Sequence, residues 1–143
     1  MPFSLQEIGR QREVTFREIG EGTNNSIDID EFDAYYHHMF LWDNEAKVIA
    51  GLIEWGWGHK FFPNMVLTDF IFKTSLGLSR SFFNDEPVIE MGRAYIMKEY
   101  QQKPMPLFLL WKGIVHTTLR HPEHKYLLEG LVSVISFPIF LSP

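Results

Sequence analysis

The sequence VIEMGRAYIMKEYQQKPMPLFLLWKG, residues 88–113, predicts the element on which the fold depends. Val88 to Met97 has the β-branched and aromatic residues of a strand, and it carries Glu90 and Arg93. A polar, Pro-rich turn follows, and Pro106 is well placed to begin an amphipathic helix. An acidic and a basic side chain on a strand, close to a helix N-terminus, suit a carboxyl-activated or phosphate-bearing ligand.

A helix and a β-hairpin are predicted on the N-terminal side of this stretch. Leu5 to Ile19 places apolar residues at helical spacing. Tyr36–Trp42 and Lys47–Glu54 predict two antiparallel strands joined by the turn at residues 43–45. With a further buried strand predicted over Tyr126–Ser136, the fold class is α/β (α+β): a single mixed, mostly antiparallel sheet flanked by helices.

The stretch from Leu52 to Glu86 has no sustained period of either kind. Thr68–Phe72 predicts a short strand and Ser75–Phe83 a short helix. At 143 residues the chain is long enough for one domain with its own core, so we expect a single domain over residues 1–143.

Composition excludes several classes of function. A net charge of -5 argues against a nucleic acid partner, which needs clustered Lys and Arg. The absence of cysteine excludes disulfides, thiolate metal sites and a Cys nucleophile. Charged residues occupy the N-terminus where a signal peptide needs an apolar run, and no stretch approaches the roughly 20 apolar residues of a spanning helix. These features predict a cytoplasmic protein.

Glu90 and Arg93 lie three positions apart, so in a regular strand their side chains face opposite sides of the sheet. Gly92, between them, is a natural position for a β-bulge, which turns both toward one face. On one face, Glu90 is a candidate general base or substrate orienter. The alternative is a structural ion pair at the sheet surface.

An acidic loop precedes the predicted hairpin, with Asp28, Asp30, Glu31 and Asp33 in close succession. It lacks the glycine and the final glutamate of an EF-hand, so we expect no metal there. The remaining alternatives are capping of a helix or turn, and pairing with nearby arginines. His37 and His38 follow, and their side chains are predicted to lie on opposite faces of the strand, one pointing inward to a carboxylate.

With these residues described, the chain resembles the acyltransferase branch of the GNAT superfamily. It is most similar to the bacterial "haemolysin" group, related to ornithine- and glycine-lipid N-acyltransferases and more distantly to acyl-homoserine-lactone synthases. The similarity covers about half of the chain. It rests on REVTFREIGEGTN (12–24), DIDEFDAYYHHMFLWD (28–43), EMGRAYIMKEYQQKPMPLFLLWKGI (90–114) and PEHKYLLEG (122–130).

The resemblance implies transfer of a fatty acyl or 3-hydroxyacyl group from acyl carrier protein, or CoA, to an amine of an amino acid in aminolipid synthesis. It implies Glu90 and Arg93 as catalytic residues. Expected substrate-binding residues are Arg12, Phe16, Asp30, Asp33 and His38. Expected donor-binding residues are Ala94, Tyr95, Ile96, Lys103 and Leu107.

The resemblance also carries expectations about partners. They are acyl carrier protein, a small amine or lysolipid acceptor, and a linked lysophospholipid acyltransferase domain. No bound cofactor is expected. The resemblance also implies peripheral contact with the inner membrane. It further implies that the first strand of the family's sheet is absent.

Residues 52–86 and 131–143 are atypical for the family. Where relatives have an Ala-Tyr-Arg-Met-Gly-Met-Gly type of run, residues 52–58 read LIEWGWG, which places Glu54 at the position of an expected Arg. A one-base shift of the reading frame over roughly Leu52 to Phe82 converts one pattern into the other, so we hypothesise a compensated frameshift. The alternative function is therefore a non-catalytic remnant that at most binds a carrier protein or a membrane surface.

Overall fold

The computed structural model describes residues 3–57, 87–129 and 133–134. The described helices are α1 (Phe3–Glu18), α2 (Lys98–Gln101) and α3 (Pro104–Arg120), together with a short 3-10 helix at Glu31–Ala34. The described strands are β1 (His37–Asp43), β2 (Val48–Trp57), β3 (Val88–Ile96), β4 (Tyr126–Glu129) and β5 (Ser133–Val134).

The strands form one mixed sheet in the order β1-β2-β3-β4, with β5 also paired to β3. β1 and β2 form the predicted antiparallel hairpin, and β2 pairs antiparallel with β3. β4 and β5 follow α3 in the sequence, and both pair with β3 in parallel. The predicted class, a mostly antiparallel mixed sheet flanked by helices, is confirmed.

A β-bulge interrupts β3 at the predicted glycine. Opposite Glu54 on β2, the register passes from Ala94 to Met91, so two residues of β3 face one of β2. The extra residue reverses the alternation of side chains along the strand. Consequently Met91 and Ala94 lie on one face of the sheet, while Arg93 lies on the other.

Each face of the sheet packs against a different helix. The α3 face is apolar and buries Ile53, Ile89, Met91, Ala94, Ile96, Leu110 and Ile114. The α1 face has a smaller apolar cluster of Ile8, Phe16, Ile49, Leu52 and Tyr95. Beyond this second cluster, the α1 face becomes polar, and the candidate site lies there.

The ends of several elements differ from the predictions. α3 begins at Pro104, two residues earlier than predicted, because Pro104 also fits a first-turn position. Part of the predicted polar turn is the short helix α2. α1 begins two residues before its predicted start and ends at Glu18, one residue before its predicted end, and Gly20 follows it with φ of 82°.

The predicted strand Tyr126–Ser136 is described as the two short strands β4 and β5. The predictions for Thr68–Phe72 and Ser75–Phe83 lie outside the described residues. None of the helices in the described ranges has the length and apolar character that crossing a membrane requires.

Candidate active site

A fully buried arginine lies at the centre of a charged cluster on the α1 face. Arg12 projects from α1, its side chain has no solvent exposure, and its Nε donates to Asp28 Oδ2 at 2.9 Å. Its two terminal nitrogens donate to Asp33, at 2.8 and 2.9 Å, and also to Glu54 and to the backbone carbonyl of Asp28. Arg12 therefore acts on a ligand only through the carboxylates that it orients.

Burial lowers the pKa of Arg12, but its hydrogen bond to Asp33 and the charges of Glu54, Asp33 and Asp28 outweigh burial and raise that pKa. For Asp33, burial raises the pKa, while hydrogen bonds from His38 and Arg12 lower it to a value well below the usual range. These opposing contributions keep the guanidinium and the Asp33 carboxylate charged inside the protein.

The acidic loop is built as a capped turn, which combines the two alternatives that its sequence left open. Asp30 is the N-cap of the 3-10 helix and accepts from Phe32 N at 2.9 Å. Asp33 accepts from the backbone N–H of Asp30 at 2.8 Å and completes a capping box. One carboxylate, Asp33, thus fixes the turn and binds Arg12.

His38 joins the cluster from β1, as predicted for the inward-facing histidine. Its Nε2 lies 3.3 Å from Asp33 Oδ1 and 3.8 Å from Glu54 Oε1. His37 points to the opposite face and stacks on Trp55 with ring centroids 4.4 Å apart. Asp33, His38 and Glu54 have the spacing of metal ligands. The Arg12 guanidinium, however, already donates to both carboxylates, so we assign them no metal.

Arg93 shares two carboxylates with Arg12, those of Asp28 and Glu54, and it also pairs with Asp30. Its Nε lies 3.2 Å from Glu54 Oε2, and its terminal nitrogens lie 3.2 Å from Asp30 Oδ2 and 3.5 Å from Asp28 Oδ1. Its side chain keeps 23% of its solvent exposure, unlike that of Arg12. Four carboxylates, from Asp28, Asp30, Asp33 and Glu54, thus surround two guanidinium groups, and the excess of negative charge favours a cationic ligand such as an ammonium group.

Glu90 lies next to this cluster, on the same strand as Arg93. Its Oε1 accepts a hydrogen bond of 3.1 Å from the hydroxyl of Tyr36, and its Oε2 is buried without a hydrogen-bond partner in the described structure. Burial raises the pKa of Glu90, and the Tyr36 hydrogen bond opposes that effect. The sequence alternative of an ion pair between Glu90 and Arg93 does not occur, since Arg93 pairs with the other carboxylates.

Gly92 allows Tyr36 and Glu54 to approach the bulge closely. A Cβ at this position would lie 3.0 Å from Tyr36 Cε1 and 3.2 Å from Glu54 Cβ. Both distances are shorter than ordinary van der Waals contact, so a side chain here would push Tyr36 or Glu54 away. Gly92 therefore determines which face of the sheet the side chains of β3 occupy. It also determines how closely Glu90 and its neighbours approach one another.

The other residues expected to bind substrate or donor lie apart from the charged cluster. Phe16 is buried in the apolar cluster of the α1 face, and Tyr95, in the same cluster, donates to Gln11 Oε1 at 3.1 Å. Ala94 and Ile96 are buried on the α3 face. The backbone of Ala94 and Tyr95 has β2 on one side and β5 on the other.

Lys103 and Leu107 lie at the start of α3. Lys103 is the residue before the helix, and its ammonium group lies 5.0 Å from the centre of the Tyr100 ring. Leu107 lines an apolar cavity of about 130 Å³ beneath the helix. The other lining residues are Ile53, Met91, Leu110, Trp111, Ile114 and Leu127. The structure thus separates a charged cluster on one face of the sheet from an apolar cavity on the other.

Three members of the site were not predicted as site residues. Asp28 binds both arginines, Tyr36 holds Glu90, and Glu54 binds Arg12 and Arg93. No sequence pattern marked Glu54 as a site residue, because an acidic residue at an expected Arg position was interpreted as the result of a frameshift. In the structure Glu54 is fully buried and paired, so the cost of an unpaired buried charge does not arise.

A single mixed sheet with a bulged central strand, a charged cluster on one face and an apolar cavity on the other defines a small α+β domain. Residues 11–111 match the family model of the acetyltransferase (GNAT) domain. The chain belongs to the GNAT family.

Two similar proteins have names that state an activity. A glycine N(alpha)-acyltransferase of Bacteroides thetaiotaomicron is 33% identical over 146 residues, covering 87% of this chain and 41% of that protein. One of Phocaeicola vulgatus is 31% identical over 143 residues, covering 87% of this chain and 42% of that protein. The chain therefore spans about two fifths of the length of these relatives. No significant match to a solved structure is found.

Proposed function

We propose that this chain is the acyltransferase domain of an N-acyltransferase that forms an N-acyl amino acid. A fatty acyl or 3-hydroxyacyl group passes from a thioester donor to the amine of an amino acid in aminolipid synthesis. Membership of the GNAT family supports the class of reaction. The name of the two relatives, glycine N(alpha)-acyltransferase, supports glycine as the acceptor.

The observation that carries the proposal is the buried carboxylate of Glu90. One of its oxygens is fixed by Tyr36, and the other is buried without a hydrogen-bond partner in the described structure. A raised pKa brings a carboxylate closer to the value that suits a general base near neutral pH. Glu90 Oε2 is thus the acceptor that an incoming amine needs.

The reaction follows from this arrangement. The bound ammonium ion first loses one proton to solvent. The neutral amine nitrogen then attacks the thioester carbonyl carbon while Glu90 takes a second proton from that nitrogen, which it later releases to solvent. The new carbon–nitrogen bond forms, the carbon–sulfur bond breaks, and the thiolate leaves and takes a proton from solvent. The excess of carboxylates around Arg12 and Arg93 attracts the acceptor as an ammonium ion, and Arg93, the more exposed arginine, is the candidate contact for its carboxylate.

The donor is proposed to be acyl carrier protein, with CoA as the alternative. Of the residues expected to bind its pantetheine arm, Lys103 and Leu107 at the start of α3 are the proposed contacts, because Ala94, Tyr95 and Ile96 are buried within the sheet. The cavity beneath α3 supports an apolar chain on that side, since its lining is apolar and includes Leu107. About 130 Å³ is close to the ~150 Å³ cavity that admits a benzene molecule, so it takes a terminal part of a chain. The proposal also includes linkage to a lysophospholipid acyltransferase domain, assignment to the "haemolysin" group and peripheral contact with a membrane.

The test combines the purified chain with glycine and either acyl carrier protein or CoA carrying a long acyl group, and detects N-acylglycine by mass spectrometry. Glu90→Gln keeps the size and the Tyr36 contact but removes the base, so turnover should fall by about 10²–10⁴-fold. Glu99→Gln, at an exposed position on α2, is the matched control and should leave turnover unchanged. A Glu90→Gln variant that is as active as the native chain would contradict the role of Glu90.

The alternative, a non-catalytic remnant, predicts a different result for the native chain. A remnant gives no N-acylglycine with either donor and no increase in melting temperature on adding donor. The pairing of Glu54 with both arginines speaks against a damaged charge cluster at this position. An active native chain would eliminate the remnant, and an inactive chain without a cooperative melt would support it.

A further inference from the structure

The helix α3 has apolar side chains on its exposed face as well as on its buried face. Pro106, Leu110 and Ile114 pack against the sheet. On the outer side, Phe108 is 60% exposed and Leu119 is 73% exposed. The full set of exposed apolar residues on α3 is Met105, Phe108, Leu109, Trp111, Val115 and Leu119. This number of exposed large apolar side chains on one helix is typical of a surface that contacts a partner.

Four of these residues form a continuous strip. Phe108, Trp111, Val115 and Leu119 follow one another at spacings of three and four residues, which places them on one side of a helix. We name this set the outer strip of α3. Such a strip marks an interaction surface, since monomeric proteins rarely expose large contiguous apolar patches.

The charges beside the outer strip are all positive. From Lys103 to Arg120 the sequence contains no Asp or Glu, although the chain as a whole has a net charge of -5. Lys112 and Arg120 are exposed, and neither forms an ion pair within the part of the chain that the structure describes. Apolar residues, a Trp and exposed cations without acidic residues are the composition of helices that lie in the interface of an anionic membrane.

Self-association fits the outer strip less well. In a twofold contact between copies, the same surface meets itself, which would bring Lys112 and Arg120 of each copy close to the cations of the other. Anionic headgroups would neutralise these cations and leave the apolar side chains in the boundary between headgroups and acyl chains. Charge complementarity thus favours lipid over a second copy.

The outer strip also leads into the cavity beneath α3. Trp111, at 48% exposure, and Leu127, at 42%, are partly exposed and line that cavity. A helix that lay on the bilayer would therefore place an apolar opening of the protein at the lipid surface. This step rests on the proposed function, because it gives a fatty product a path to the membrane that avoids water.

We propose that α3 is the membrane-binding element of this domain, lying on an anionic lipid surface with its outer strip in the interface. Lys112 and Arg120 contact the lipid phosphates. Binding requires both the apolar strip and the cations, and it occurs without acyl donor or acceptor.

The test is sedimentation of the purified chain with vesicles of phosphatidylcholine alone or phosphatidylcholine mixed with phosphatidylglycerol. The native chain should bind the mixed vesicles at least tenfold more tightly than the neutral ones, and binding should weaken as salt is raised. The double variant Phe108→Ser/Leu119→Ser should lose most of its binding to both kinds of vesicle. The double variant Lys112→Glu/Arg120→Glu should lose the preference for anionic vesicles.

Phe40→Ser is the matched control, because Phe40 is 46% exposed but lies on β1. It should bind as the native chain does, and circular dichroism melts should show every variant folded. Equal binding by the native chain and the Phe108→Ser/Leu119→Ser variant would overturn the proposal. A dimer that forms in solution without vesicles and that Phe108→Ser/Leu119→Ser dissociates would also overturn it, since the strip would then belong to a second copy. Because no substrate is present, a failure here leaves the glycine acylation assay unaffected.

Discussion

Arg93 Nε lies 3.2 Å from Glu54 Oε2, although the two residues are 39 positions apart in the sequence. Arg12 donates to the other oxygen of the same carboxylate. Glu54 thus bridges two arginines, one from α1 and one from the bulge of β3. The contact joins a helix, a hairpin strand and the central strand into one charged unit.

Glu54→Arg, which introduces the residue type that the family resemblance leads one to expect, should strongly destabilise this chain. The new cation would face Arg12 and Arg93 without a carboxylate between them. Breaking a buried ion pair costs about 3–5 kcal/mol, and the added repulsion makes this a lower bound. Urea unfolding measures the change in free energy.

Glu45→Arg provides the comparison, since Glu45 is exposed in the turn between β1 and β2. It should change the free energy of unfolding by no more than about 0.5 kcal/mol. A Glu54→Arg variant as stable as the native chain would show that Arg12 and Arg93 do not depend on this carboxylate.

Tyr36→Phe should move the pH dependence of acyl transfer to higher pH. Burial raises the pKa of Glu90, and the Tyr36 hydrogen bond lowers it, so removing the hydroxyl raises the pKa of Glu90 further. A base works only when deprotonated, so the acid limb of the pH–rate profile should shift to higher pH. The rate above that limb should stay within a few-fold of the native value.

The measurement is kcat/KM for N-acylglycine formation across the pH range, with Tyr35→Phe as the control. Tyr35 is a neighbouring tyrosine that is 61% exposed, and its variant should keep the native profile. If the Tyr36→Phe profile is unshifted and its rates are lowered equally at every pH, Tyr36 does not control the pKa of Glu90.

Gly92→Ala should destabilise the protein and lower its activity together. The added methyl group would lie 3.0 Å from Tyr36 Cε1 and 3.2 Å from Glu54 Cβ, and overpacking of this kind costs about 1–3 kcal/mol. Thermal melts and the glycine acylation assay measure both effects. Gly113→Ala is the control, because its methyl group meets the flexible end of Met39 and Ala gains about 1 kcal/mol of helix propensity. It should be close to neutral.

Glu13 should contribute stability that acid removes. Hydrogen bonds from the Thr23 hydroxyl, Arg17 and the backbone of Thr23 and Asn24 lower its pKa from 4.5 to about 2. Because the folded value is the lower one, the contribution is complete above pH 4.5 and is lost as the pH falls toward 2.

The measurement compares melting temperatures of the native chain and Glu13→Gln between pH 7 and pH 2. The native chain should melt at a higher temperature at neutral pH, and the difference should shrink below pH 4.5. Glu7→Gln tests an exposed pair with Arg10 and should show a much smaller difference. A constant difference across the range would assign the effect of Glu13→Gln to shape and not to charge.

The sequence predicted those parts of the fold that depend on neighbouring residues. The hairpin follows from alternating apolar residues beside a turn, the bulge from a glycine within a strand, and the capped loop from closely spaced acids. The start of α3 was misplaced because two prolines, at 104 and 106, both satisfy the preference of a first helical turn.

The composition of the site could be predicted only in part. Arg12, Asp33 and His38 were expected and do meet, and pairing of the acidic loop with Arg12 was one of two open alternatives. Glu54 and Tyr36 were missed, since their partners are 42 and 54 positions away and no periodicity connects them. Charge balance among buried groups becomes visible only when the helix, the hairpin and β3 are placed together.

The bulge in β3 also constrains how this strand can change over time. Removing Gly92 would restore regular alternation and leave Met91 and Ala94 on the same face. Removing or adding a residue between Arg93 and Ile96 would instead exchange the sides of everything before it, so that Glu90 would enter the apolar face beneath α3 and Met91 would meet the arginines. The length of this part of β3 is therefore fixed, and we expect mutational drift here by substitution and not by insertion or deletion.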